Sequence, residues 1–297
     1  MTALTHAATA AERRALPITV IGTGRLGAAL AGALAVAGYT DLTLASRDPP
    51  RAADVAAALG VHARTTAEAV ERAALVFLAV PDGAIEDVAS SLAWRAGQGV
   101  VHTSGARGLD ALADATVHGA LAGCLHPLQT FPATGTPSAS AAAALFAGIV
   151  CGVEAAPPLD GLLTALVEDL GARTVRLDGV DRARYHAAAV LVSNDVVALM
   201  AAATRTWTAA GLEAGAAQAA LAPLMRAAAA NATSLPLAQA LTGPIARGDH
   251  ATVARHVAAL AGEPGLLEIY RALGRELLRL DLGHSPAVRA ALEDTLR

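Results

Sequence analysis

The chain has 297 residues, 54% of them hydrophobic, and a formal net charge of −4. That length suits two domains with a large core, and the charge excludes the basic surface that nucleic-acid binding requires. There is no lysine, all 22 basic residues being arginines, so every mechanism that uses a lysine amine is excluded as well.

Residues 1–16 lack a basic start followed by an apolar stretch, so they do not read as a signal peptide. They are expected to be a disordered or loosely docked tail. "ITVIG" then reads as a β-branched strand, and "LGAALAGALAVAG" as a helix with Gly38 at its C-cap. "DLTLASR" is a second strand, and "PPRAADVAAALG" a helix with prolines at its start. "ALVFLAV", residues 74–80, is a continuous apolar run, as a strand buried on both faces should be. Further strands are read in "GQGVVHTSG", "GALAGCLHP" and "FAGIVCGVE". A last unit, "PLDGLLTALVEDLG" with "ARTVRLD", ends this half near residue 178. Alternating strands and helices predict an α/β fold, a Rossmann-type doubly wound parallel sheet over 17–178.

From 179 to 297 the segments are long and helical, punctuated by Pro223, Pro236 and Gly243-Pro244. They predict an all-α second domain. Cys124 and Cys151 sit in apolar runs without a metal-ligand spacing, and read as reduced core thiols. No apolar run reaches the roughly 18 residues of a membrane span. A soluble cytoplasmic protein without membrane or nucleic-acid partners is the expectation.

The turn Gly22-Thr23-Gly24-Arg25-Leu26-Gly27 has the spacing G-x-G-x-x-G between a strand and a helix. That context is the one a dinucleotide requires. Gly22 permits the tight turn, Gly24 admits a pyrophosphate, and Gly27 lets helix and strand pack closely. The helix N-terminus offers free N–H groups to the phosphates. At the end of the second strand, where an acidic residue would hold the ribose of NAD, stand Ser46 and Arg47. They can hold a 2′-phosphate instead, so the cofactor is read as NADP, although Asp48 follows closely.

Strand ends carry the remaining candidates. Val80, Pro81 and Asp82 should line the ribose and nicotinamide side, Asp82 also being readable as a helix N-cap. Thr103 and Ser104 would lie beside the nicotinamide, or serve the turn alone. His126, at the end of an apolar strand, can donate to a substrate oxygen or protonate a nascent alkoxide. Gln129 and Thr130 follow in the same loop. His186, Ser193 and Asn194, at i, i+7 and i+8, share roughly one helix face. Arg247 can bind a substrate carboxylate, with Asp249 capping the next helix.

The stretches "VIGTGRLGAAL", "AVPDGAI", "VHTSGA", "LHPLQTF", "YHAAAVLVSN" and "TGPIARGD" together resemble a bacterial family of Rossmann-like oxidoreductases. Its members have a helical C-terminal domain formerly of unknown function, and it lies in the 6-phosphogluconate dehydrogenase-like superfamily. Ketopantoate reductase and pyrroline-5-carboxylate reductase are related to it. The resemblance implies an NADP-dependent reductase of a small, carboxylate-bearing keto acid, 2-dehydropantoate being one candidate. It also implies a homodimer built on the helical half. Relatives in the superfamily carry a catalytic lysine and an asparagine on the equivalent helix. This chain has no lysine, so His186 or Asn194, with His126, is expected to polarise the substrate carbonyl, in a cleft between the domains. An imine reductase of the pyrroline-5-carboxylate reductase type, and a non-catalytic NADP(H)-sensing protein, remain as alternatives.

Overall fold

The computed structural model describes residues 9–131, 135 and 138–297, and opens with a short helix, α1 (Ala10–Arg14). Thr9 and Glu12 close its N-terminus as a reciprocal capping box. Residues 1–8 of the expected tail lie outside the described residues. Its second half is not loose. Arg13 donates through Nε and Nη2 to Asp169 at 3.3 and 3.0 Å, the Tyr39 hydroxyl donates to the same oxygen at 3.0 Å, and Leu16 is buried.

The first compact unit is Met1–Leu191. Its sheet has eight strands: β1 (Ile18–Ile21), β2 (Leu42–Ala45), β3 (His62–Ala63), β4 (Leu75–Leu78), β5 (Gly99–His102), β6 (Leu121–Pro127), β7 (Val150–Ala155) and β8 (Arg173–Arg176). Their order is β3-β2-β1-β4-β5-β6-β7-β8. The chain travels outward from β1 to β3, then returns to start again at β4. The carboxyl ends of β1 and β4 therefore flank the point where the winding reverses, which is where such sheets bind ligands. β1, β2, β4 and β5 are buried along their whole length, as strands covered on both faces must be.

α2 (Arg25–Val36), α3 (Pro49–Leu59), α4 (Thr66–Arg72), α5 (Ile85–Ser90), α6 (Ala113–Val117), α7 (Ala139–Phe146) and α8 (Leu159–Asp169) cover the two faces. One core joins Leu30, Leu34, Phe77, Phe146 and Leu163, and the other joins Val76, Leu78, Ile85 and Leu112. Small residues let α2 approach α7, since a Cβ on Gly32 would stand 2.8 Å from that of Ala142.

One pairing departs from the expected parallel sheet: β6 and β7 run antiparallel. The two strands pair from Gly123–Ala155 to Pro127–Cys151, a long-range pairing whose direction no local pattern in the sequence signals. The two-residue edge strand β3 was not expected either.

α9 (Arg182–Leu191) closes this unit, so the division falls later than the expected boundary at 178. The second unit, Val192–Arg297, is all-helical among its described elements. Its helices are α10 (Asn194–Ala209), α11 (Ala214–Ser234), α12 (Leu237–Ala240), α13 (Gly243–Ala246), α14 (His250–Ala259), α15 (Pro264–Leu277) and α16 (Pro286–Thr295). Ile245, Val253, Leu278, Leu292 and Leu296 form a small core. Pro223 does not end a helix; α11 continues through it and forgoes one N–H bond.

The helical stretch Arg182–Ala209 holds an apolar window that a search for unbroken apolar runs passes over. Its most apolar window has a mean hydropathy of 1.7, enough by length and composition to cross a membrane. Scattered polar residues lower that mean without cancelling it. The stretch is nevertheless divided by a turn at Val192–Ser193.

Candidate active site

The three glycines of the first turn have different physical reasons. Gly22 has φ +118°, and a Cβ there would lie 2.3 Å from the carbonyl oxygen of Ala79. A Cβ on Gly27 would lie 1.9 Å from the carbonyl oxygen of Gly22. Both positions are closed to side chains by the protein's own backbone. Among the described residues nothing lies within 4 Å of a Cβ built on Gly24, so only an outside group would require its absent side chain. Gly24 is the N-cap of α2 and brings no side-chain cap, leaving the first N–H groups of that helix free for a ligand. Thr23 is buried and Leu26 half-buried beside them. A cavity of about 380 Å³ adjoins the turn, lined by Thr23, Gly24, Arg25, Arg51 and Asp54 among others.

At the end of β2, Asp48 has a structural role. Its carboxylate accepts from Arg51 N at 3.1 Å as the N-cap of α3. The Ser46 hydroxyl donates to Asp48 O at 2.8 Å and accepts from Asp48 N at 3.1 Å. Arg47 is exposed. Arg51, in the first turn of α3, lines the cavity beside the glycine turn and was not singled out from the sequence.

After β4, Val80 is half-buried and Pro81 and Asp82 are exposed. Asp82 caps no helix, because α5 starts from Ala84 without a side-chain cap. After β5, the Thr103 hydroxyl donates to Leu78 O at 3.4 Å. Ser104 Oγ accepts from the N–H groups of Ala106 and Arg107 at 3.2 and 3.1 Å. Its lone pairs thus hold the turn. Gln129, which is exposed, donates to Leu145 O at 3.2 Å and accepts from Thr130 N at 2.8 Å.

The densest polar group lies on one face of β5, β6 and β7. Antiparallel register sets Cys124 opposite Glu154, and His126 opposite Gly152, and residues so paired share a face. Across them lies α9, whose residues 182, 185 and 186 share one side at i, i+3 and i+4. The Arg182 guanidinium pairs with Glu154 through Nη2 and reaches Cys124 Sγ at 3.5 Å through Nη1. The Tyr185 hydroxyl lies 2.9 Å from Nδ1 of His126. The rings of His126 and His186 are 6.0 Å apart, edge to face, and Nδ1 of His186 is buried without a partner. Two glycines make the room. A Cβ on Gly152 would stand 2.7 Å from the Tyr185 hydroxyl, and one on Gly105 would stand 2.6 Å from Cε1 of His126. Arg182 and Tyr185 were missed from the sequence, where their spacing to His186 was the available signal.

Burial sets the charges of this group. It lowers the His126 imidazole to about 4, helped by His186 and by the Arg182 cation. His102, wholly buried at the end of β5, falls to about 4 through burial and then Arg182. Burial raises the Tyr185 phenol to about 12 and the Cys124 thiol to about 11. At neutral pH His102 and His126 are therefore neutral, the Tyr185 phenol is protonated and the Cys124 thiol intact, beside the Arg182 guanidinium.

His186, Ser193 and Asn194 do not share a helix face, contrary to expectation. Ser193 has φ −123° and ψ −77°, outside the helical range, so the turn there resets the helical phase. The Ser193 hydroxyl donates to Asn194 Oδ1 at 3.2 Å. Both residues belong to the second unit, as does the exposed Arg247 at the end of α13. Asp249 caps α14 as expected, accepting from Thr252 N at 3.0 Å.

Residues 17–105 match the family described as NADP oxidoreductase, coenzyme F420-dependent. Residues 149–277 match DUF2520, a domain of unknown function, and that match begins inside the sheet at β7. No curated protein matches the sequence. Among solved structures, a Bacteroides fragilis protein described as an NADP oxidoreductase is 24% identical, with a TM-score of 0.68 over 89% of this chain and 98% of its own. A reductive aminase from Aspergillus terreus, in complex with NADPH and ethyl levulinate, is 19% identical, with a TM-score of 0.61 over 95% and 100%. The 1-pyrroline-5-carboxylate reductase of Streptococcus pyogenes is 16% identical, with a TM-score of 0.58 over 95% and 97%. These structures share the fold. The chain joins an NADP oxidoreductase domain to a DUF2520 domain, the arrangement its motifs resembled; it is an oxidoreductase, and NADP is its cofactor.

Proposed function

We propose that the protein is an NADPH-dependent reductase of a small carboxylate-bearing keto acid, with 2-dehydropantoate as the first substrate to test. The observation that carries the reading is the His126–Tyr185 pair, set at the carboxyl end of β6 in the sheet whose β1 opens into the glycine turn. NADPH, when bound, supplies hydride. The open space at Gly24 and the uncapped start of α2 fit its pyrophosphate. Ser46, Arg47 and Arg51 supply the hydroxyl and guanidinium groups that a 2′-phosphate needs. His126 donates a hydrogen bond to the substrate carbonyl, and Arg182 adds positive potential for the developing alkoxide. Ser193, Asn194 and Arg247, polar side chains of the second unit, are proposed as substrate-binding residues from the sequence alone.

A second reading is favoured by the protonation states. The cluster holds no strong acid at neutral pH, because burial keeps His126 neutral and Tyr185 protonated. An already protonated imine needs none, so imine reduction is the alternative. A cytoplasmic homodimer completes the proposal. The two cysteines are free, which suits a reducing compartment. Val197 on α10 and Leu224 on α11 are 71% and 68% exposed, apolar surface that a second copy would cover.

Oxidation of NADPH, followed at steady state against keto acids, cyclic imines and ketone–amine mixtures, tests these readings together. Turnover of a keto acid supports the first and turnover of imines alone the second. NADPH binding without turnover of any substrate would leave an NADP(H)-sensing protein.

A further inference from the structure

The hydroxyl of Tyr185 and the ring of His126 constrain each other's hydrogens. They are 2.9 Å apart, and His126 is the one hydrogen-bond partner of that hydroxyl among the described residues. Two arrangements are chemically available. If Nδ1 carried the proton and donated, the phenolic hydrogen would be left without a protein acceptor. The hydroxyl lies 2.7 Å from where a Cβ on Gly152 would be, so the missing side chain is what gives it room. If the phenol donates, its hydrogen and the Nδ1 lone pair are both satisfied, and a neutral ring must then carry its proton on Nε2. Only the second arrangement gives the hydroxyl hydrogen of the half-buried Tyr185 an acceptor within the protein, among the described residues. Burial keeps the ring neutral and the phenol protonated, as this arrangement requires.

Resting on the reductase reading, we propose that Tyr185 is a positioning residue: it locks His126 in the Nε2–H tautomer, and that N–H is the hydrogen-bond donor to the substrate's carbonyl oxygen or imine nitrogen. Nε2 has no partner in the protein among the described residues, so its proton is free for a ligand. Gly105 is the second half of the device. The edge of the ring is held against it, with Nδ1, Cε1 and Nε2 all within 2.9 Å of where a Cβ would stand. The phenol sets which nitrogen faces Gly152, and Gly105 sets how deep the ring sits.

Nitrogen-15 NMR of the histidine-labelled full chain tests the tautomer, with Tyr185→Phe as the variant because it keeps the aromatic ring. His126 is assigned by the signal lost in His126→Gln. In the unmodified protein near pH 7, Nε2 of His126 should show a bonded hydrogen and Nδ1 an acceptor's shift. In Tyr185→Phe both nitrogens should move toward averaged values. With an accepted substrate, kcat should fall about tenfold or more while NADPH affinity is unchanged. His126→Gln, which retains an amide N–H, should keep more turnover than His126→Ala. A proton found on Nδ1 in the unmodified protein, or a spectrum unaltered by Tyr185→Phe, overturns the proposal. Absence of turnover with every substrate would remove the reductase reading, and the spectrum would still decide the tautomer.

Discussion

A methyl group on Gly105 would stand 2.6 Å from Cε1 of His126, closer than carbon atoms approach without moving. The atom it meets belongs to the end of a side chain and not to backbone, so the ring swings away and the fold remains. Gly105→Ala should therefore lower kcat by about tenfold or more while shifting Tm by only a few degrees, about 1 kcal/mol or less. A variant with unchanged kcat would mean that the ring's position is not used.

The glycines of the first turn should separate folding from binding. Gly27→Ala sets a carbon 1.9 Å from the backbone oxygen of Gly22 and should destabilise the chain by about 1–3 kcal/mol. The Cβ of Gly24→Val meets nothing within 4 Å among the described residues, so the melting curve should hardly change. Its NADPH binding should be lost in a fluorescence titration. Retained binding would mean that Gly24 is not the place of the pyrophosphate.

Cofactor choice should rest on the arginines after β2. Arg47→Ala and Arg51→Ala should each weaken NADPH by about 1.5–3 kcal/mol, the scale of a charge-assisted hydrogen bond. Affinity for NADH should barely change. Equal losses for the two cofactors would contradict the assignment of these side chains to a 2′-phosphate.

Stability should fall as the solution is acidified from neutral. His102 and His126 are lowered from 6.5 to about 4 in the folded chain, chiefly by burial. Above 6.5 both states hold these rings neutral, and the full stability is present. As the pH falls from 6.5 toward 4, the unfolded chain takes up protons that the folded chain refuses, and stability is lost. Each ring contributes a slope of up to about 1.4 kcal/mol per pH unit. Urea melts between pH 7.5 and 5 should show this slope, reduced in His126→Gln. A midpoint constant across that range would show that the rings are not buried in their neutral form.

Much of this protein was legible as local pattern. An apolar run without alternation marked β4, because a strand covered on both faces has no solvent side to record, and a β-branched run marked β1. The G-x-G-x-x-G spacing between strand and helix marked the cofactor turn, because its steric requirements all lie within six residues. The dependence of Gly22 on Ala79 was invisible there, since it crosses from β1 to the end of β4. The antiparallel direction of β7 was also beyond reach, being set by its long-range pairing with β6. His126 could be singled out by its place at a strand end. Its partners could not: Arg182 and Tyr185 look like the polar side of an ordinary helix until α9 is laid across Cys124, Glu154 and Gly152. The sequence by itself determined the alternation of elements and the phosphate-cradling turn, because both depend on short-range sterics and periodicity. Only the tertiary structure decided which polar side chains meet, and their protonation at neutral pH, because burial and long-range contact exist only once the sheet and α9 have packed.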